Sequence, residues 1–459
     1  MSSLNEGEAP VRYRYQPPSE AEAASPWLQV AGVGLGVEYM RAETLWSRLE
    51  AQAGYLAAPD APAGSVRACQ ERAHLFRGAA LRRALSHYSP DHTELKEFVE
   101  NYPIPGYFIG PSKEPQLDFQ KWMDAYNERV SFARDKVAHM PYHRVDGPTS
   151  HFSSNVHAAQ AWSEIFQRFD SAGDLNSMLL FAEDGYAIRS QFGYWRNKEG
   201  ETLAQILSRP KTPVDLSESV AGVLLLRPQS TNWLQELAPH TIDSQKLTVT
   251  TNGLRLRGPH GFGGFHGDGH RVGITTYRSP ENYTTTSNVP LPWSEWQMNQ
   301  YLGMPVYGWL HRQQVARFTD DSKALLSLEE RLEGLRRALS QAVQQAFDGA
   351  APARVFFAVG TDVQAPARTS LLQRAATEVL PQLQLYDPKV GYDLSRRLGE
   401  MGAASGAVAV GLAAVAGWVT GGTALVVDIR DDVAASVLAF KPSSQAYRDR
   451  FVKPPYEDV

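Results

Sequence analysis

Between Met401 and Val427 the chain carries no charged side chain. A run of that length satisfies the criterion for crossing a bilayer, so the first choice is between a membrane span and a segment enclosed by protein. More than half of the run is Gly or Ala, including Gly402, Gly406, Gly411, Gly417, Gly421 and Gly422. The Gly421-Gly422 pair divides it: a small-residue helix precedes the pair, and the β-branched stretch 423–427 after it has strand character. Small residues at four-residue spacing let backbones approach closely in water as well as in lipid. The expectation is a buried helix of a soluble protein, followed by a strand.

The rest of the chain supplies material to enclose such a helix. Its 459 residues exceed one ordinary core, so two or three domains are expected. With 43% hydrophobic and 21% charged residues it belongs to the globular class. A net charge of −5 and a pI near 6.2 argue against the basic face of a nucleic-acid binder, and no nucleic-acid partner is expected. The single cysteine, Cys69, excludes an internal disulfide and a cysteine-rich zinc site, and it suits a reducing compartment, although a cysteine-poor periplasmic protein fits the same count. Residues 1–26 hold Pro10, Pro17, Pro18 and Pro26 and no apolar run, and read as a flexible lead-in without a secretory signal. The tail 453–459 reads as exposed.

Strand and helix patterns alternate along the chain. Apolar runs at 27–32, 177–182, 220–226, 354–359, 383–386, 426–429 and 435–440 read as strands. Helical periodicity covers 38–53, 75–88, 119–137, 157–169, 231–237 and 370–380. The clearest helix is 323–347, where Leu325, Leu328, Leu332, Leu335, Leu339, Val343 and Phe347 form one stripe, stopped by Asp348-Gly349. The Pro/Gly/aromatic stretch 102–111 reads as a rigid connection, and the alternation in 246–256 as a β-excursion. This predicts an α/β protein of two or more layered, sandwich-like domains with mixed sheets, 27–240 and 241–459. No repeat of solenoid period is visible.

Signatures of catalysis are sparse. Gly32-Val-Gly34-Leu-Gly36 has the setting of a dinucleotide loop, but Val37 stands where the third glycine of that spacing belongs. A tight turn with close helix packing is the expectation, and no cofactor is implied. No Gly-x-Ser-x-Gly elbow, Walker loop or His-Glu-x-x-His helix occurs, and no basic cluster flanks Cys69 in sequence. The glycine-rich segment 258–270 carries His260, His266, Asp268 and His270, all metal-ligand types. In an extended chain His266 and His270 would stand about 13 Å apart, so a shared metal needs a sharp turn. A metal-assisted hydrolase built on these four residues is therefore one alternative. Trp293, Trp296, Tyr307, Trp309, His311 and Arg312 form an aromatic and cationic stretch suited to a protein-binding surface, although core placement of the tryptophans fits the same pattern. The pairs Asp320-Asp321 and Asp431-Asp432 read as solvated turns or caps.

Four stretches occur in a recognisable order: residues 27–35 leading to Leu45-Trp46, then 179–185, then Pro292-Trp293 with 308–312, and the Gly/Ala/Ser run 398–422. Together they resemble the type VI secretion lipase-adaptor family over most of the chain from residue 27. The resemblance implies a non-catalytic, cytoplasmic adaptor that binds a phospholipase effector and promotes its loading onto the VgrG spike. It assigns no functional residue. Family members often begin with a hydrophobic anchor that the start of this sequence lacks, which leaves membrane attachment open. An immunity-type inhibitor that blocks a toxin would be a similar high-surface binder, and stands as the other alternative.

Overall fold

The computed structural model describes residues 25–56, 65–85, 105–111, 151–154, 158–190, 200–228, 249–251, 254–256, 302, 304–451 and 454–456. A first group of strands comprises β1 (Trp27–Val37), β2 (Met40–Arg41), β3 (Gly106–Gly110), β4 (His151–Ser154), β5 (Ser177–Asp184) and β6 (Ser219–Leu226). A small separate hairpin follows, β7 (Val249–Thr251) with β8 (Leu254–Leu256). The second group is β9 (Gly308–Arg317), β10 (Arg354–Ala358), β11 (Gly391–Asp393), β12 (Ala424–Asp428) and β13 (Ala434–Pro442).

Apart from the hairpin, these strands make one 11-stranded mixed sheet, ordered β11-β10-β12-β13-β9-β1-β6-β5-β3-β4 with β2 beside β1. With β2 set aside, both halves repeat one pattern outward from the β1/β9 junction: first strand, last, fourth, second, third. Their senses repeat too. Pairs β1/β6 and β6/β5 are antiparallel, while β5/β3 and β3/β4 are parallel. Pairs β9/β13 and β13/β12 are antiparallel, while β12/β10 and β10/β11 are parallel. The chain therefore carries one five-strand topology twice. Antiparallel pairing of Trp27, Leu28, Gln29 and Val30 with His311, Leu310, Trp309 and Gly308 joins the copies.

The helices repeat this arrangement. They are α1 (Ala42–Ala51), α2 (Val66–Leu85), α3 (Ala158–Ser171), α4 (Tyr186–Ser190), α5 (Leu203–Leu207), α6 (Leu328–Phe347), α7 (Ala365–Val379), α8 (Leu394–Leu398), α9 (Ser405–Thr420) and α10 (Gln445–Arg448). Helix α2 lies on β1 and β6, and α6 lies on β9 and β13 at the matching place. Helix α9 touches β1, β5 and β6 of the first half and β10, β12 and β13 of the second, while α3 packs on β9 and β13. Both central helices thus lie between the half-sheets. A helix apolar on every side must be covered on every side, and Ser405 to Trp418 are all buried. By length and composition Gly402–Thr420 could cross a membrane, but here the surrounding strands take up its surface. Gly421, at φ +76°, ends it before β12, in keeping with the reading of 401–427.

Residues 32–37 are strand, not turn, and the glycines serve another purpose. A Cβ on Gly32, Gly34 or Gly36 would fall 1.8, 1.7 or 2.3 Å from Ala84 O, Ala80 O or the Phe76 ring. The three alternate along β1, so one bare face lets α2 lie directly on the backbone. The close helix packing expected here is present, while the turn lies later, at Glu38 and Tyr39 with φ of 48° and 63°. A bulge between Val30 and Gly32 shifts the alternation by one. Leu28, Val30, Val33, Leu35 and Val37 consequently all enter the core cluster that contains α9.

Other expectations need correction. The connection 102–111 contains β3, whose residues are all buried and parallel to both neighbours: a strand buried on both faces shows no alternation to betray it. The expected strand 383–386 is a non-strand segment with Leu383 and Leu385 buried and Tyr386 exposed, and the sheet edge is instead Gly391–Asp393. The long helix begins at Leu328, where Ser327 and Glu330 form a capping box, so Leu325 and Leu328 lie outside its buried stripe. The helical segments 119–137 and 231–237, the boundary near residue 240 and most of the lead-in lie outside the described residues.

Candidate functional site

The N-termini of α3 and α9 meet. A Cβ on Gly406 would lie 3.2 Å from Ala158 Cβ. The cavity between them, lined by Ile109, Trp162, Leu180, Ala407 and Arg430, is about 10 Å³, room for about one water. Charged residues at strand ends surround this point. Asp184, closing β5, accepts from Gly185 N (2.8 Å), Arg189 Nε (2.7 Å) and, from the other half, Ala403 N (2.9 Å). Arg430, just beyond β12, pairs with Asp428 (3.1 Å) and donates to Gly402 O. Ser217 and Ser219 at the start of β6 donate to Leu398 O (2.5 Å) and Met401 O (3.0 Å). The segment entering α9 is thus tied to both halves.

A second buried network lies around Glu38. Its carboxylate accepts from Lys211 Nζ (2.6 Å) and Glu218 N (2.8 Å), which also helps hold its left-handed backbone. Glu218 accepts from Ala187 N (2.5 Å) through Oε1, while Oε2 is buried without a partner. Burial first, and then the nearby Glu38 carboxylate, push Glu218 up to about 7 against the pull of Lys211. Burial opposes the charge on Lys211, but Glu38 and Glu218 outweigh it and hold the ammonium above its ordinary value. Cys69 lies 3.5 Å from the Tyr39 hydroxyl, and burial pushes its thiol up. Such a thiol stays protonated and is a poor nucleophile. Asp215, despite burial, is held well below the carboxylate range by Arg209 (2.7 and 2.8 Å) and by Thr212 N (2.8 Å).

The residues singled out from sequence are dispersed differently. Tyr307 is fully buried, 5.4 Å from the Trp418 ring centroid. His311 is buried on β9, edge-on to Trp27 at 4.7 Å with Nδ1 2.9 Å from Arg312 O, and burial holds it below its ordinary pKa. Trp309 and Arg312 are half-buried. Arg312 donates to Asp170 (2.7 Å) and Ser25 O (3.1 Å), with its guanidinium 4.8 Å from the Phe166 ring. Trp293, Trp296, His260, His266, Asp268 and His270 lie outside the described residues. Among the described residues no group of three His, Cys, Asp or Glu side chains is placed to hold a metal.

Sequence reasoning missed the charged networks. Their signal was a charge placed directly at the end of an apolar strand, as at Glu183-Asp184, Glu218 and Asp428. The acid pairs behave as caps: Asp320 accepts from Ser322 N and Ala324 N (both 2.9 Å), and Asp431 from Val433 N (2.8 Å).

In overall shape the chain is similar to a ketosynthase from module 1 of the bacillaene synthase of Bacillus amyloliquefaciens FZB42. The TM-score is 0.50 at 10% identity, covering 92% of this chain and 74% of that one. A ketosynthase from module 6 of the bacillaene synthase of Bacillus subtilis 168 has a TM-score of 0.47 at 6% identity, covering 91% and 72%. At 10% identity the first of these likenesses is one of fold alone, the α/β fold with a mixed sheet built above. Sequence comparison reaches further, because both halves match family models. Residues 27–202 match "Type VI lipase adapter protein Tla3, N-terminal", and residues 307–442 match "Type VI lipase adapter protein Tla3, C-terminal". With both halves matched in order, and with the strands that build the duplicated sheet inside or beside those matches, the chain belongs to the type VI lipase adapter family.

Proposed function

We propose that this protein is a non-catalytic, cytoplasmic adapter that binds a type VI lipase effector and promotes its loading onto the VgrG spike. The observation that carries this reading is the match of both halves to the adapter family. One placement supports it: the lone thiol is buried and held protonated, which makes it a poor nucleophile. A binder of this kind works through surface, with aromatic or aliphatic anchors supplying much of the energy.

The test is a pull-down of the tagged full-length chain from cells expressing the secretion machinery, with partners identified by mass spectrometry. Recovery of a lipase together with a VgrG protein is expected, as is loss of lipase secretion when this gene is deleted. Fractionation should place the chain in the cytoplasm. Recovery of neither partner would overturn the reading. A chain that abolishes the lipase's activity, and protects cells from it without affecting export, would mark an immunity-type inhibitor instead.

A further inference from the structure

At one end of the second half, three loops are fastened side by side. Buried Arg368 donates to Asp362 (2.9 Å) in the loop after β10 and to Asp432 (3.2 Å) in the loop between β12 and β13. Phe318 N, just beyond β9, donates to Val433 O (2.8 Å), and Leu326 N returns to Phe318 O (2.8 Å). The fastening leaves four apolar side chains outward: Val363 at 91% exposure, Leu325 at 54%, Leu328 at 52% and Val433 at 42%. Singly exposed apolar residues are ordinary, but four of them on loops held together by these bonds put apolar surface at one end of the half.

The charge around them is mainly acidic. Asp320, Asp321, Asp362, Asp431 and Asp432 all belong to these loops. The nearby cations Arg368 and Arg430 are turned inward and already paired, which leaves Lys323 in the 318–327 loop and Arg317 at the end of β9 as exposed cations beside the five aspartates. An apolar centre with an acidic rim fits a protein surface that brings aliphatic or aromatic anchors framed by Lys and Arg.

We propose that this loop face of the second half is the docking surface for the type VI lipase, and that the lipase meets it with a basic-rimmed apolar patch. The proposal rests on the adapter reading above. Binding through it should be rapid at low salt and should weaken as salt rises, because rim charges steer encounter.

The experiment uses the full-length chain and the lipase recovered with it, with affinity measured by calorimetry at low and high salt. Val363→Glu combined with Leu325→Glu should weaken binding by about tenfold or more. Asp321→Lys should weaken it several-fold at low salt and flatten the salt dependence. Leu75→Glu on α2 and Tyr386→Glu, exposed apolar positions elsewhere, should bind as wild type. All the substituted side chains are exposed, and unchanged thermal unfolding will show that each variant is folded. Wild-type affinity in the Val363/Leu325 and Asp321 variants overturns this face while leaving the adapter reading intact. A dimer of the free chain that these substitutions dissociate, with lipase affinity unmoved, overturns it in favour of a second copy as the occupant. Failure of the wild-type chain to bind any lipase removes both this inference and the reading beneath it.

Discussion

Gly34 lies where α2 rests on the sheet, and a Cβ there would be 1.7 Å from the Ala80 carbonyl oxygen. Backbone cannot yield as a flexible side chain can, so Gly34→Ala must push the helix away from β1. A loss of about 3 kcal/mol is expected, seen as a lower urea midpoint, and an unchanged midpoint would refute the packing described here. Glu218 makes a different statement at the same scale. Its ordinary value is 4.5 and its value in the fold about 7. Below pH 4.5 the carboxyl is protonated in both folded and unfolded chains, and its contribution to stability is fully present. As pH rises from 4.5 to about 7 the unfolded chain releases the proton first, so that stability is progressively lost. Glu218→Gln cannot ionise. Its stability relative to wild type should therefore rise across that window and level off above it, and parallel pH curves for the two proteins would exclude the assignment.

At the scale of elements, α6 shows how a helix start is selected. Ser327 N donates to the Glu330 carboxylate (2.9 Å), and Glu330 N donates back to Ser327 Oγ (3.3 Å). These bonds satisfy donors that the first turn otherwise leaves open. Ser327→Ala should cost about 1 kcal/mol by chemical denaturation, with hydrogen exchange rising in the first turn alone. The turns from Leu332 onward are held by burial against β9 and β13, and faster exchange there would contradict that division. Helix α9 is the opposite case. It has few polar groups to direct it, and its position comes from the two half-sheets that close over it.

Across the whole molecule the two halves share a continuous sheet and exchange central helices, with α3 on strands of the second half and α9 on strands of the first. Neither half can lose its fold without baring apolar surface of the other. Calorimetry of the full chain should therefore show one cooperative unfolding transition. Two well-separated transitions, each absorbing part of the heat, would mean that the halves are independent and that the shared core is not what couples them.

By itself the sequence determined whatever depends on local period and local stop signals. The charge-free run 401–427 reads as a buried helix and a strand divided at Gly421-Gly422, and the apolar runs 177–182, 220–226 and 354–359 read as strands, as the fold has them. The ordered resemblance carried the family as well, since it rests on residues in series. Tertiary structure decided the rest, because the deciding contacts join residues far apart in the chain. The duplication of the sheet has no visible sequence repeat, for a topology can recur while side chains diverge. The glycines of β1 read as a turn until α2 is seen lying on them. Tyr307 and His311 looked fit for a surface until strands on both sides enclosed them. The same holds for Glu38, Lys211 and Glu218: a charge is ordinary in sequence, and only the segments that fold over it decide whether water reaches it.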